Sequence, residues 1–319
     1  MTLDLAAIRA AHVTIRPHIH RTPVLTSARL DAATGGSLFF KCENFQKTGA
    51  FKARGATNAV LALSAADAAH GVATHSSGNH AAALARAARL RGIPAHVVMP
   101  SNSTASKIRA VEGYGGMITF CEPTAQAREE TCASVITRTG AVLIHPFTDE
   151  RVMAGQGTVA VELIEDIPAL DVLLCPVGGG GLLAGTLIAA KNLRPQIQVI
   201  AVEPSGADDA ARAFSTGKRA AVEHPVTIAD GLRTTIGQPN FEIMRQHVEA
   251  VVTVSDEAIV AAMRAIWETL KIVVEPSAAV TYAALIEGKV TSAGRRTGLI
   301  VSGGNVDLDA LPWMNRSFR

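Results

Sequence analysis

Residues 171–190 read DVLLCPVGGGGLLAGTLIAA, and they decide the fold. Val172–Ala190 is 19 residues without a charge, nominally long enough to span a bilayer. Pro176 and the run Gly178-Gly179-Gly180-Gly181 cut it in half, so a strand, a glycine turn and a helix explain it better. Glycines let backbone N–H groups crowd an anion, and the following helix adds its positive end. Gly178–Gly181 should therefore cradle a phosphate. A turn without a ligand is disfavoured, because four glycines cost considerable backbone entropy. Whose phosphate it is stays open at this point. Gly179-Gly180-Gly181-Leu182-Leu183-Ala184 fits the G-x-G-x-x-A dinucleotide form, and Glu203 follows 19 residues on, where a ribose-binding acid would sit. Against a nicotinamide-dependent oxidoreductase, the run is longer than such a turn needs and no hydride-transfer constellation follows.

The same alternation of strand and helix extends outward in both directions. Candidate strands are Leu38–Cys42, Gly71–His75, Ala95–Met99, Met117–Cys121, Val142–His145, Asp171–Val177, Gln198–Glu203 and Leu299–Ser302. Helical patterns between them include His80–Leu90, Ser106–Tyr114, Ala125–Thr139, Met153–Glu165, Leu182–Asn192, Asp256–Leu270 and Ser277–Glu287. Wholly apolar strands separated by helices indicate an α/β fold with parallel-rich sheets covered on both faces. Its ligand belongs at the carboxyl ends of the strands. No linker divides the chain, so a second domain is expected to be inserted rather than appended. Residues 71–147 form the expected small domain, and 1–70 with 148–319 the large one.

Of the 319 residues, 48% are hydrophobic and 18% charged, which supports sizeable cores and excludes a disordered chain. The 30 basic and 28 acidic residues leave a charge of +2, giving no electrostatic case for nucleic acid or an anionic membrane. Aromatic residues at 4% argue against a stacking platform for single strands. Cys42, Cys121, Cys132 and Cys175 show no C-x-x-C pairing, so reduced thiols and a cytoplasmic location are expected. The opening MTLDLAAIRAAHV has no signal-peptide core. His18 and His20 lie two apart with no third ligand in reach and read as packing.

Three further segments narrow the choice. They are Lys47-Thr48-Gly49-Ala50-Phe51-Lys52-Ala53-Arg54-Gly55-Ala56, Ser76-Ser77-Gly78-Asn79-His80, and Ser302-Gly303-Gly304-Asn305. With them the chain closely resembles the fold-type II pyridoxal-phosphate (tryptophan synthase β-like) enzymes, in the serine racemase and serine/threonine dehydratase group. The resemblance runs nearly end to end, through His-Arg-Thr-Pro-Val at 20–24, Gly155-Gln156-Gly157-Thr158 and Glu275-Pro276.

What the resemblance implies can be set beside the chemistry of each residue. Lys52 looks like the Schiff-base lysine; a cationic neighbour such as Arg54 and a desolvated pocket would favour its neutral form. Phe51 and Gly178–Gly181 would complete the cofactor site. Ser76, Ser77, Gly78, Asn79 and His80 would bind the substrate carboxylate, with Asn79 also reaching the cofactor's ring oxygen. A plain helix cap also explains that loop. Ser77 resembles the racemase's acid–base residue on the face opposite the lysine. Ser302 would meet the pyridine nitrogen, where a hydroxyl suits β-elimination better than a carboxylate would. Glu203, Ala207 and Asp209 resemble the family's divalent-cation site, whose oxygen ligands suit Mg²⁺ or Ca²⁺. Capping acids at a helix start are the plainer account.

The expected activity is dehydration of a β-hydroxy amino acid to a keto acid and ammonia, with serine racemase and threo-3-hydroxyaspartate dehydratase as alternatives. A non-catalytic ligand-binding module is the non-enzyme alternative. Nothing after Arg319 has the length of a regulatory domain, so feedback by isoleucine is not expected. A small-molecule amino acid is the expected partner, and a homo-oligomer, first of all a dimer, the expected assembly. Two departures suggest a roomier pocket: Ala50 stands where the group usually has serine, and Ala82 where glutamine is common. With Phe147 as an aromatic wall, a phenyl substituent as in 3-phenylserine should then be accepted.

Overall fold

The apolar runs of the central strands offer no polar face to water, so helices are expected on both sides of them. In the computed structural model, which describes residues 3–76 and 78–314, they form two sheets. The strands are β1 Val24–Leu25, β2 Ser37–Cys42, β3 Val72–His75, β4 Ala95–Pro100 and β5 Met117–Cys121. β6 Val142–Leu143, β7 Val172–Pro176, β8 Gln198–Pro204, β9 Ala250–Val254 and β10 Arg296–Val301 follow. The larger sheet has the order β1-β2-β10-β7-β8-β9, parallel except where β1 meets β2. The smaller sheet has the order β5-β4-β3-β6 and is parallel throughout. The chain leaves the larger sheet after β2, builds the smaller one from β3 to β6, and returns at β7.

Alternation along the strands of the larger sheet sorts its core into two layers. Phe39, Leu173, Cys175, Val199 and Ile300 join the cluster under helices Glu150–Asp166 and Gly181–Leu193. Phe40, Leu174, Val202, Leu299 and Val301 join the cluster under Asp256–Leu270 and Pro276–Ile286. Helix Lys52–Leu61 crosses Glu150–Asp166 at two glycines, where a Cβ on Gly155 would lie 2.6 Å from Gly55 Cα. A Cβ on Gly157 would lie 2.8 Å from the Gly185 carbonyl, so the helix after the glycine run is pressed equally close. These crossings fix the start of the lysine-bearing helix relative to the glycine turn.

The uncharged stretch Val172–Ala190 divides into β7, the turn and the helix Gly181–Leu193. No helix among the described residues is long and apolar enough to cross a membrane. Two strands escape the pattern. β1 has only two residues, and β9 is an edge strand of mostly half-buried residues, so neither carries a strong apolar signal.

Candidate active site

Lys52 opens the helix Lys52–Leu61, and its Nζ donates to the carbonyl of Pro146 at 2.7 Å. The amine lies 5.2 Å from the centre of the Phe51 ring. Burial pushes its pKa down to about 8, with no carboxylate among the described residues pairing to hold it up. Arg54 does not contribute to this, which corrects the expectation from sequence. Its guanidinium donates to both Glu43 oxygens at 2.8 Å and to Glu162 at 2.7 and 2.8 Å, so its charge is already neutralised. Lys41 Nζ completes this buried quartet, 2.7 Å from Glu162 Oε2. Burial pushes Glu162 up, but Arg54 and Lys41 outweigh it and hold the carboxyl at about 2.

Four segments distant in sequence meet beside Lys52. Ala50 bridges Gly303, Phe51 N donates to Ser302 O at 3.0 Å, and Gly304 N donates to Gly49 O at 2.9 Å. Asn305 Nδ2 donates to Thr48 O at 2.7 Å and to Asn79 Oδ1 at 2.8 Å. Asn79 Nδ2 in turn donates to Glu275 Oε1 at 2.9 Å, while Glu275 N donates to Gly303 O at 3.1 Å. Burial pushes the Glu275 carboxyl up to about 8. Ser302 is 3% exposed, and its hydroxyl hydrogen-bonds to none of the described residues. Glu275 and Asn305 were quoted in sequence motifs, but their role in this ring had no sequence signal.

The helix Asn79–Arg91 starts after Gly78 with no side-chain cap; Ala81 N donates to Gly78 O at 3.0 Å, which leaves the N–H groups of Asn79 and His80 without an intrahelical acceptor. Ser76 Oγ accepts from Gly78 N at 3.3 Å. Ser77 lies outside the described residues. The His80 ring is buried with Nε2 at 3.2 Å from the Ile144 carbonyl, so its imidazole is a packing element and only its backbone N–H is offered. Burial lowers His80 well below its ordinary value. His145 accepts at Nδ1 from Thr148 N at 3.1 Å, which assigns its proton to Nε2. Burial, with His75 and Lys52 nearby, pushes it down to about 4.

The glycine run behaves as a cradle. The helix Gly181–Leu193 has no side-chain cap, and Gly180 at φ +87° occupies the left-handed region. A Cβ on Gly178 would lie 3.0 Å from Leu232 Cα, and one on Gly179 only 2.4 Å from the Phe147 ring. Larger residues would clash with these neighbours, so the turn stays free of side chains. Comparison with known proteins bears on which family uses such a turn. Residues 15–303 match the family model described as "Pyridoxal-phosphate dependent enzyme". The chain belongs to the pyridoxal-phosphate dependent enzymes. It is similar to a beta-hydroxyaspartate dehydratase of Paracoccus denitrificans, 53% identical over 95% of this chain and 96% of the relative. The structure of maize serine racemase superposes with TM-score 0.95 at 47% identity, covering 100% of this chain and 98% of that one. The serine racemase of Dictyostelium discoideum superposes with TM-score 0.92 at 44% identity, covering 97% and 100%. These findings displace the nicotinamide alternative.

The residues present fit this family's cofactor: a half-buried amine of lowered pKa, a glycine turn free of side chains, and an unpaired hydroxyl at Ser302. The enlarged-pocket expectation fares less well. Ala50 has no exposed surface and packs on Gly303, and Ala82 is 6% exposed, so both methyls sit among packed neighbours. The Phe147 ring sits on Gly179 and stacks edge-on against His145 at 4.6 Å. Glu203 and Asp209 are both buried and accept only from backbone, from Ala211 N at 2.6 Å and Ile236 N at 2.7 Å respectively. Neither pairs with a cation among the described residues, and Ala207 is buried beside them in sequence. Burial pushes Glu203 up to about 8 and Asp209 to about 6.

Proposed function

We propose that this enzyme is a β-hydroxy amino acid dehydratase, giving a 2-keto acid and ammonia, with 3-hydroxyaspartate as the first substrate to test. The observation that carries the reading is Lys52, a half-buried amine of lowered pKa held against Pro146 O beside the glycine run. Pyridoxal phosphate, when bound, supplies the electron sink that acidifies the substrate's α-hydrogen. Gly178–Gly181 and the helix they open would hold its phosphate, and Ser302 would face its ring nitrogen as a hydroxyl donor. Asn79, fixed between Asn305 and Glu275, would orient the ring. The uncapped N–H groups after Gly78, with Ser76 and Ser77, would bind the substrate carboxylate. Lys52 Nζ, neutral in part near pH 8, would take the α-proton.

Assaying keto acid and ammonia from 3-hydroxyaspartate, threonine, serine and 3-phenylserine tests this. We expect oxaloacetate from 3-hydroxyaspartate at the highest kcat/KM; no keto acid from any of the four would overturn the reading. Serine racemisation is the second reading, favoured by the likeness to the maize enzyme, and D-serine formation measures it. Glu203, Asp209 and the Ala207 carbonyl are proposed to hold Mg²⁺ or Ca²⁺, since two buried carboxylates without a cationic partner suit an oxygen-binding ion. Either ion should then raise the melting temperature, and chelator should lower it. The two sheets are proposed as the cores of the domains 71–147 and 1–70 with 148–319. A homodimer, and a cytoplasmic location suggested by four free thiols, complete the proposal.

A further inference from the structure

One side chain joins the lysine's anchor to the anion cradle. Asn240 is 1% exposed and lies in the first turn of helix Gln238–His247. Its Nδ2 donates to Phe147 O at 2.9 Å and to Gly179 O at 2.5 Å, while Gly237 N reaches Gly179 O at 3.1 Å. Both amide hydrogens are thereby used, and the buried Oδ1 has no partner. Flipping the amide would set an acceptor against two carbonyls, so these two contacts fix its orientation. Within a trans peptide the C=O and N–H point opposite ways. Pinning Gly179 O therefore aims the Gly180 N–H away from Asn240. Pinning Phe147 O likewise aims the Thr148 N–H at His145 Nδ1, which it reaches at 3.1 Å. The preceding residue is Pro146, whose carbonyl holds Lys52 Nζ. The glycines are shaped to the same clip, since a Cβ on Gly180 would lie 2.8 Å from Asn240 Cβ and one on Gly237 2.4 Å from Thr148 Cγ2.

We propose that Asn240 is a positioning residue that holds the cradle and the anchor of Lys52 at one spacing. This rests on the reading that Gly178–Gly181 receive the cofactor's phosphate. The test uses enzyme resolved of its cofactor and two probes, pyridoxal phosphate and pyridoxal, which lacks the phosphate. The ratio of their dissociation constants reports the cradle. The rate at which pyridoxal alone attaches to Lys52, followed by absorbance, reports the amine. In Asn240→Ala we expect both the preference for the phosphorylated probe and the attachment rate to fall at least threefold. A smaller fall in either, including a lowered melting temperature with both unmoved, overturns the clip. Should the alanine variant not fold, the same threshold applies to Asn240→Thr, which can serve only one carbonyl. If the wild type itself binds the two probes equally, the phosphate placement fails, and the clip with it.

Discussion

Lys52 and Arg54 stand two residues apart on one helix, and the protein treats their charges in opposite ways. Arg54 is fully buried, with two carboxylates gripping its guanidinium and Lys41 balancing the second of them. Lys52 has one carbonyl and an aromatic face. Burial opposes the charge on both, but Glu43 and Glu162 more than compensate Arg54, whereas Lys52 is left at about 8. A compensated cation holds elements together, and an uncompensated one is available for chemistry.

The largest effect that can break this contrast is on turnover. Lys52→Ala should lower kcat by more than about a thousandfold, within the range of a lost proton-transfer group, while circular dichroism stays native. Near-normal activity would remove Lys52 from the reaction. In the cofactor-free wild type, attachment of pyridoxal phosphate should accelerate as pH rises, reaching half its maximum near the lysine's pKa of about 8. A midpoint near the ordinary lysine value would show that burial does not set the amine free.

Arg54→Met tests the other half. It leaves Glu43 and Glu162 buried without their main partner, and removing one member of a buried ion pair typically costs about 3–5 kcal/mol. Urea unfolding should show that loss. A cost below about 1 kcal/mol would mean that water or rearrangement replaces the guanidinium, and the network would not be structural.

His145 offers a smaller and pH-dependent test. Its folded pKa of about 4 lies below the ordinary 6.5, so the unfolded chain takes up more protons between these values. The stability it contributes is present above pH 6.5 and is lost as pH falls toward about 4. His145→Gln should flatten that part of the stability profile by about 2 kcal/mol, allowing for its partial exposure. An unchanged slope would assign the acid sensitivity to His80 or His75.

Much of this arrangement was legible in the sequence, for a physical reason. Gly178–Gly181, Lys52 and Ser302-Gly303-Gly304-Asn305 are local signals, each declared by unusual residues at short spacing beside a strand or helix. Their meeting place follows from parallel strands whose carboxyl ends face one region. Arg54 was read wrongly because its meaning lies 108 residues away at Glu162, and sequence spacing cannot report such a pair. The anchors of Lys52 and Asn240 are backbone carbonyls, which every residue has and no motif marks. The pocket expectation lacks support for a similar reason: an alanine in place of a polar residue leaves space only if its neighbours do not close in, and Gly303 packs on Ala50.

The smallest expected effect sharpens the comparison by repeating the chemistry in water. Lys107 Nζ meets Asp230 Oδ2 at 2.5 Å, with the two side chains 30% and 43% exposed. Lys107 belongs to helix Ala105–Gly113 beside the smaller sheet, and Asp230 to the turn whose Gly231 and Leu232 pack on Gly178 of the cradle. Like the Arg54 network, this pair ties distant segments together; unlike it, both partners remain solvated. Solvent screening should hold its value to about 0–1 kcal/mol, and salt should erase most of that. Lys107→Ala is therefore expected to leave urea stability within about 1 kcal/mol of wild type. Because the pair spans the space between the sheets, the change should fall on KM rather than kcat and shrink at high ionic strength. A loss as large as that of Arg54→Met, or one insensitive to salt, would show that burial is not what separates the two kinds of bridge.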